Sequence, residues 1–439
     1  MAPNPTVMQA VESLDYRVTV GDVAAQAGLD LNQARQGLLA LASDTQAHLQ
    51  VSEVGEIAYE FPRNFRAILR NKFWRLRLRE TWERVWHVLF YLIRISFGIL
   101  LIVSIVLIFV TIAILVIALN SSRDSDDRGG GGPRGGGFIF LPRIWFGPDL
   151  FWFFDFDSTP RRRRRRLTDD NEMNFFEAVF SFLFGDGDPN ADLEERRWAA
   201  IASVIRNHNG AVTAEQIAPF LDDLGSGWSR ENEDFMLPVL SRFDGRPEVS
   251  PQGGLIYHFP DLQVMASERR QGRVPSYLQE QSYRFSQASS GQIMLSIGLG
   301  SINFIGALVL GNLLQDQALV AELGGLVAFV NSIYWLLLGY GTAFLGVPLI
   351  RYFWVQWRNG KIEQRNNQRQ QRVQVLTQPD SALQEKLAFA QQFAEKTIVG
   401  KDDLAYTTEK DLSEQEFEQS DKIDAEWQRR LQEYKSNNP

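Results

Sequence analysis

The sequence predicts a mainly α-helical membrane protein that carries two small α+β, winged-helix-like soluble domains related by internal duplication. Residues 51–62 (VSEVGEIAYEFP) and 249–260 (VSPQGGLIYHFP) repeat one pattern, and Leu39–Ser43 aligns without a gap on Leu237–Ser241. Three long apolar runs interrupt otherwise polar sequence. Charge is segregated as well: 45 Lys and Arg against 53 Asp and Glu leave −8 overall, yet the arginines gather beside the apolar runs.

The first soluble domain is expected over residues 6–62 and the second over 190–262. Each reads as helix, short extended piece, helix, turn, helix and then a β-hairpin. Thr19 with Asp22, and Thr213 with Gln216, have the spacing of a capping box and so set where the second helix begins. The third helix carries Leu38, Leu39 and Leu41 in one copy and Met236, Leu237, Val239 and Leu240 in the other. Alternation then marks strands, with Val51, Ile57, Tyr59 and Phe61 matched by Val249, Leu255, Tyr257 and Phe259 around turns at Gly55 and Gly253-Gly254. A short insertion around residues 225–228 accounts for the changed offset between the two matching blocks.

A basic helix over residues 63–87 leads into a first transmembrane helix over 88–119, long enough at 1.5 Å per residue to exceed a hydrocarbon core of roughly 30 Å. A glycine-rich linker, 120–137, precedes an aromatic segment and arginine run over 138–166. Pro142, Gly147 and Pro148 forbid one straight helix there, so the segment reads as interfacial or re-entrant. Trp145 and Trp152 suit the headgroup boundary, and Arg161 to Arg166 would pin that end to an anionic leaflet. An apolar helix over 172–184 comes before the second domain, and a linker, 263–290, follows it. Transmembrane helices are expected at 291–314 and 323–353, then a helical, acidic tail over 354–439. Gly324, Ala328 and Ser332 make a small-residue stripe for close packing, and Asn303 and Asn331 could hydrogen-bond across the bundle or, alternatively, line an ion or solute path.

Arginines set the orientation. Those between Arg63 and Arg84 precede the first span and those from Arg351 to Arg365 follow the last, so both flanks are expected on the cytoplasmic side. Arg269, Arg270, Arg273 and Arg284 mark the start of the second span as cytoplasmic too. Three crossings cannot satisfy this, so the chain must re-cross between Asn120 and Ser290 or the first span must be a hairpin. Residues 1–7 lack the basic-then-apolar pattern of a secretory signal, so the N-terminus is expected on the side of synthesis.

The chemistry is defined largely by exclusion. With 0 cysteines the chain cannot form disulfides, thiolate zinc sites or thiolate-held iron–sulfur clusters. The four histidines, His48, His87, His208 and His258, show no metal-ligand spacing, and no phosphate loop, HExxH, nucleophile elbow or kinase signature is present. Asp186 to Asp192 has alternating oxygens like a calcium loop, but Ala191 stands where glycine is required and Arg197 where the terminal glutamate belongs. A turn and N-cap, with Asp188 or Asn190 serving the next helix, is the plainer use. No catalytic residue, metal site or cofactor is expected, and the chain reads as a non-enzyme.

Winged helices often bind DNA through cations on the third helix and wing. Here the third helix of the first copy offers Arg35 alone, its wing carries Glu53, Glu56 and Glu60, and residues 249–260 of the second copy hold no lysine or arginine. Phosphate neutralisation supplies most non-specific affinity, so nucleic acid is disfavoured and protein contact preferred.

Residues 174–190, with FFEAVFSFLFGDGDPN at their heart, resemble a family of cyanobacterial and plastid-envelope membrane proteins. Glu195-Arg196-Arg197-Trp198, residues 218–222 (APFLD) and residues 237–245 (LPVLSRFDG) extend the similarity, which covers roughly Phe61 to Val355. In plants the family carries the label iron–sulfur cluster biosynthesis family protein. The resemblance implies a photosynthetic lineage and a plasma or thylakoid membrane; it supplies no catalytic residues, and without cysteine any link to cluster assembly is indirect. The expectation is a multi-pass membrane scaffold or assembly factor whose duplicated domains contact unidentified proteins at the cytoplasmic face, with a homo-oligomer left open. A membrane-tethered DNA-binding regulator and a transporter or channel component are the alternatives.

Overall fold

The computed structural model describes residues 4–72, 74–123, 173–222, 233–268, 272–400, 404–418, 420, 424 and 427–431. The interfacial segment expected over 138–166, with Trp145, Trp152, Arg161 and Arg166, lies outside the described residues, as does the insertion at 225–228. The protein is mostly helical with a few small sheets, and it divides into two compact units.

The first unit comprises residues 1–89, 187–283 and 354–439. It opens with α1 (Pro5–Ser13), β1 (Arg17–Val18), α2 (Val20–Ala27), α3 (Leu31–Thr45), β2 (His48–Ser52) and β3 (Ile57–Glu60). Both ends of α2 are written locally. Thr19 and Asp22 close a capping box at its start, and Gly28 ends it in the left-handed region at φ 62°, where a Cβ would be strained. Asp30 likewise caps α3 by accepting from the Asn32 and Gln33 amides. The strands form a sheet in the order β1-β3-β2, with Val18 and Leu49 flanking Tyr59. Val18, Tyr59 and Phe61 join Leu38 and Leu41 in the core, while Leu39, one step round the helix, is exposed.

A second set follows the same order: α7 (Leu193–Asn207), β4 (Ala211–Val212), α8 (Ala214–Ile217), α9 (Leu237–Phe243), β5 (Arg246–Val249) and β6 (Leu255–His258). Its sheet runs β4-β6-β5, with Val212 and Pro247 flanking Tyr257. Order and register thus recur position for position. The expected capping contact recurs too, the Thr213 amide donating to Gln216 Oε1 at 2.9 Å. Among the described residues, however, α9 is a short helix entered through a 3₁₀ turn at Asp234–Met236, because Pro238 falls in its first turn.

The two sets share one apolar core. Beyond β6 come α10 (Pro260–Gln263) and β7 (Val264–Met265); the tail adds α15 (Ser381–Ala390), β8 (Thr397–Ile398), β9 (Leu404–Thr407) and α16 (Leu412–Glu418). The β8 strand pairs in parallel with β7, and β9 joins the first sheet as a fourth strand against β2. A short basic helix, α4 (Phe65–Lys72), leaves the first set, with Phe65 and Leu69 buried in the shared core.

The second unit comprises residues 90–186 and 284–353. Helix α5 (Trp74–Arg123) enters it at Phe90, followed by α6 (Phe175–Phe184), α11 (Ser290–Leu313), α12 (Gln317–Leu323), α13 (Gly325–Ser332) and α14 (Tyr334–Thr377), which leaves it after Phe353. Among the described residues three stretches are long and apolar enough to cross a membrane: Arg84–Asn120, Ser290–Leu313 and the helix Tyr334–Thr377. Ser104 and Ile108 of α5 meet Asn303 and Gly306 of α11, so these two helices run in the same direction; Phe344, Gly341 and Tyr334 of α14 meet Gly300, Phe304 and Gly311 in reverse order. Gln292 on the first turn of α11 donates to Met173 O, and Phe176 packs at Gly98. Phe176 thus packs near the start of α5 within this unit, whereas Arg123 ends that helix about 25 residues further on.

Two sequence expectations are corrected here. The helix expected over 323–353 is interrupted: Gly324 and Gly325 adopt positive φ of 53° and 48°, which ends α12 and starts α13, and α14 begins only at Tyr334. The stripe of Gly324, Ala328 and Ser332 is not the packed face, since Ala328 and Ser332 are exposed while Val327 and Val330 are buried. Close packing instead uses Gly98 against Phe176, Gly300 against Phe344, Gly306 against Ile108 and Gly341 against Phe304.

Candidate interaction site

The joint between the two sets of the first unit is built on the capping box of α2. The Asp22 carboxylate is held from both sides: Oδ2 accepts from the Thr19 and Ala266 amides, each at 3.0 Å, and Oδ1 accepts from Arg206 Nη2 of α7 at 2.6 Å. Thr19 Oγ1 donates to Val264 O at 3.1 Å. A motif that sets a helix start thereby also clasps the other set. On the same side of α2, Gly28 lies against Ala199 and Trp198, and its carbonyl accepts from Arg242 Nε at 3.1 Å and Nη2 at 2.5 Å. The Arg242 guanidinium sits 4.5 Å over the Trp198 ring, and burial pushes its pKa below the ordinary arginine value.

Two further charged clusters bind helices to the second set. Arg369, 1% exposed, donates to Glu280 Oε1 at 2.8 Å, to Leu278 O at 2.7 Å and to Asp222, while Arg365 grips both Glu280 oxygens at 2.6 and 2.7 Å. Burial raises the Glu280 pKa, but the Arg365 hydrogen bonds and the charges of Arg369 and Arg365 outweigh it and hold the carboxyl below its usual range. In the tail, Lys386 of α15 reaches Glu233 at 2.8 Å and Glu215 at 3.0 Å, and Tyr257 donates to Glu233 at 2.6 Å. Burial lowers the Lys386 pKa, but the hydrogen bonds and charges of Glu233 and Glu215 outweigh it and leave it above the ordinary lysine value.

These clusters decide which groups of the two third helices remain on the surface. Arg35, the cation of α3, pairs with Asp261 at 3.3 Å, and Arg242 of α9 is spent on Gly28. The exposed faces of the two third helices carry apolar groups at matching places, Leu39 at 50% exposure and Leu237 at 61%. Sequence periodicity grouped these leucines with the core residues beside them; only the helix orientation separates them. In the calcium-like run, Asp186 accepts from Arg94, Ser181 and the Gln287 amide, Asp188 from the Asn190 amide, and Asp192 from Arg196. Asp192 occupies the N-cap position of α7, but without a side-chain cap bond, and neither Asp188 nor Asn190 caps that helix directly. Among the described residues no group of three or more His, Asp or Glu could hold a metal ion.

In the second unit, Asn303 is buried and Ser104 donates to its Oδ1 at 2.9 Å, whereas its Nδ2 has no partner. Asn331 is half-buried on α13. A group that sequence reasoning missed lies at one end of this bundle. Arg94 pairs with Asp186 at 3.0 Å, Ser181 bonds Asp186 and Ser286 at 2.6 Å each, and Arg351 donates to the carbonyls of Ser181, Phe182 and Phe285. Arg351 thus acts on the last turn of α6 as a C-terminal cation and satisfies carbonyls that helix geometry leaves open. Isolated arginines in apolar sequence were the available signal. Exposed aromatic residues stand where the apolar stretches meet basic sequence: Trp82 and Trp86 on α5, and Trp354 and Trp357 on α14, with Lys361 3.9 Å over the Trp357 ring.

Fold and site together define a mainly helical protein with three potentially membrane-spanning helices and a compact unit of paired α+β sets. No family model matches the chain, and no solved structure matches it. The chloroplastic uncharacterized protein At5g03900 of Arabidopsis thaliana is 40% identical over 442 residues, covering 97% of this chain and 82% of its own length. The chain belongs to the family of that chloroplastic protein. A membrane location is compatible with both the three apolar helices and the plastid-associated relative.

Proposed function

We propose that this protein is a membrane-anchored adaptor whose two winged-helix-like domains, duplicated from one ancestor, recruit or assemble other proteins at the cytoplasmic face. One observation carries the reading. The third helices, which in DNA-binding winged helices supply cations, here present Leu39 and Leu237 to solvent while Arg35 and Arg242 are engaged within the unit. Apolar groups at equivalent, solvent-facing places suit a protein surface better than a phosphate backbone. The arginine-rich flanks and the Trp82, Trp86, Trp354 and Trp357 belt favour a multi-pass protein with this unit on the cytoplasmic side. A role in iron–sulfur cluster assembly, which the label of the resembled plant family names, would act through partners, because the chain has 0 cysteines.

The test is cross-linking of the full-length protein in native membranes, followed by mass spectrometry, with Leu39→Asp and Leu237→Asp compared with the unmodified chain. A reproducible partner set that both substitutions deplete supports the adaptor. Cross-links unaffected by either substitution, or salt-dependent duplex binding by the purified protein, would defeat it.

A further inference from the structure

Among the described residues the first sheet carries an added strand on its β2 edge, and the second sheet carries none on the matching β5 edge. In an antiparallel pair, alternate residues bond one neighbour and turn their N–H and C=O groups to the other side. Ser52 N donates to Glu56 O at 2.9 Å, so the alternation turns Val51 and Leu49 outward from β3. Both meet the tail. Val51 lies opposite Tyr406, Thr408 N donates to Leu49 O at 3.0 Å, and Leu49 N donates to Thr408 Oγ1 at 2.8 Å. In the second sheet Ser250 N donates to Gly254 O at 2.8 Å, which turns Val249 and residue 247 outward. That residue is Pro247, with no N–H to give, at the place that Leu49 holds in the first.

The outer side of β9 is closed by a side chain. Thr407 N donates to Gln415 Oε1 at 2.9 Å, and Gln415 Nε2 donates to Thr407 O at 2.7 Å and to Lys410 O at 2.8 Å. One buried amide therefore imitates the next strand and ends the sheet there, so a strand added on this side of the sheet must use the β2 edge itself.

We propose that the β2 edge, Leu49 to Ser52, is a strand-addition site for an extended segment of a protein partner, and that β9 is its resident intramolecular occupant, displaced when the partner binds. The chemistry recognised is that of β9: an aliphatic side chain where Leu404 packs beside Ala58, Val264, Ala266 and Val399, an aromatic ring at the place of Tyr406, and a hydroxyl where Thr408 receives the Leu49 amide. The existence of a partner rests on the adaptor reading, while the edge can be tested without one.

The experiment measures fluorescence anisotropy of a labelled peptide, Leu404 to Lys410, with the full-length protein in detergent. Tyr406→Pro removes a ladder donor from β9 and frees the edge, so it should bind the peptide at least tenfold more tightly than the unmodified protein, whose tail competes. A peptide with proline at the tyrosine place should bind neither. Amide protection of α2 and α7 in the variant checks that the unit remains folded. Equal affinity for both proteins, or binding of the proline peptide, overturns the proposal. So would a dimer of the unmodified protein that Tyr406→Pro converts to monomer, because the occupant would then be a second copy. Loss of the cross-linked partners on Leu39→Asp bears on the adaptor reading alone and leaves the peptide result as it is.

Discussion

Replacing Asp22 with alanine should open the joint between the paired sets while leaving each set's own sheet in place. The carboxylate is 1% exposed and serves two buried amides, Thr19 N and Ala266 N, and the Arg206 guanidinium. Each amide left without an acceptor costs about 1–3 kcal/mol. Arg206, at 15% side-chain exposure, can recover some solvation, so its loss lies toward the lower part of the about 1.5–3 kcal/mol typical of charged hydrogen bonds. The total is about 3.5–8 kcal/mol, or roughly two and a half to six decades in a local opening constant. Hydrogen exchange with mass spectrometry on the detergent-solubilised chain reads this directly, through amides of α2, α7 and residues 264–266. Asp22→Asn, which keeps one acceptor oxygen, should show about half the free-energy change. A double-mutant cycle with Arg206→Ala should return coupling of about 1 kcal/mol or more. Exchange in Asp22→Ala within threefold of the unmodified protein would refute the reasoning, because the joint would then rest on apolar packing alone.

Acid should loosen the Arg369 cluster. The Glu280 pKa is depressed in the folded protein, so its stabilisation is present above the ordinary carboxylate value and lost as pH falls through the depressed one; Glu280→Gln should flatten that acid limb in thermal unfolding. Lys386→Met should free the tail helix, since Glu215 and Glu233 would face each other buried without their cation, at a cost of about 3 kcal/mol by analogy with broken buried pairs. Faster exchange across α15 checks this. Because the Lys386 pKa is raised, its contribution is present below the ordinary lysine value and lost only as pH rises through the raised one, so protection of α15 should not change between pH 6 and 9 on its account. In the bundle, Gly341→Leu should lower the melting temperature, since a Cβ there would stand 3.2 Å from the Phe304 backbone, whereas Gly339→Leu meets nothing within 4 Å and should be tolerated. Equal melting of the two variants would remove the packing role assigned to Gly341.

The local sequence by itself determined the apolar stretches, the capping pair Thr19 and Asp22 and the recurring strand pattern around Tyr59 and Tyr257. These signals are short-range: helix caps, residue alternation and hydrophobic length are decided by neighbours within a few positions. Tertiary structure decided what those elements became. Whether Leu39 faces the core or solvent depends on how α3 is rotated against the sheet, and whether Gly324 packs or breaks a helix depends on its φ, neither of which spacing reveals. Nothing local to Arg35, Arg242, Arg369 and Lys386 says what they bind: each meets a carboxylate or carbonyl far along the chain that only folding brings within reach. The strand at Leu404–Thr407 was invisible for the same reason: too short to signal itself, it takes its conformation from a β2 edge that the rest of the chain must build first.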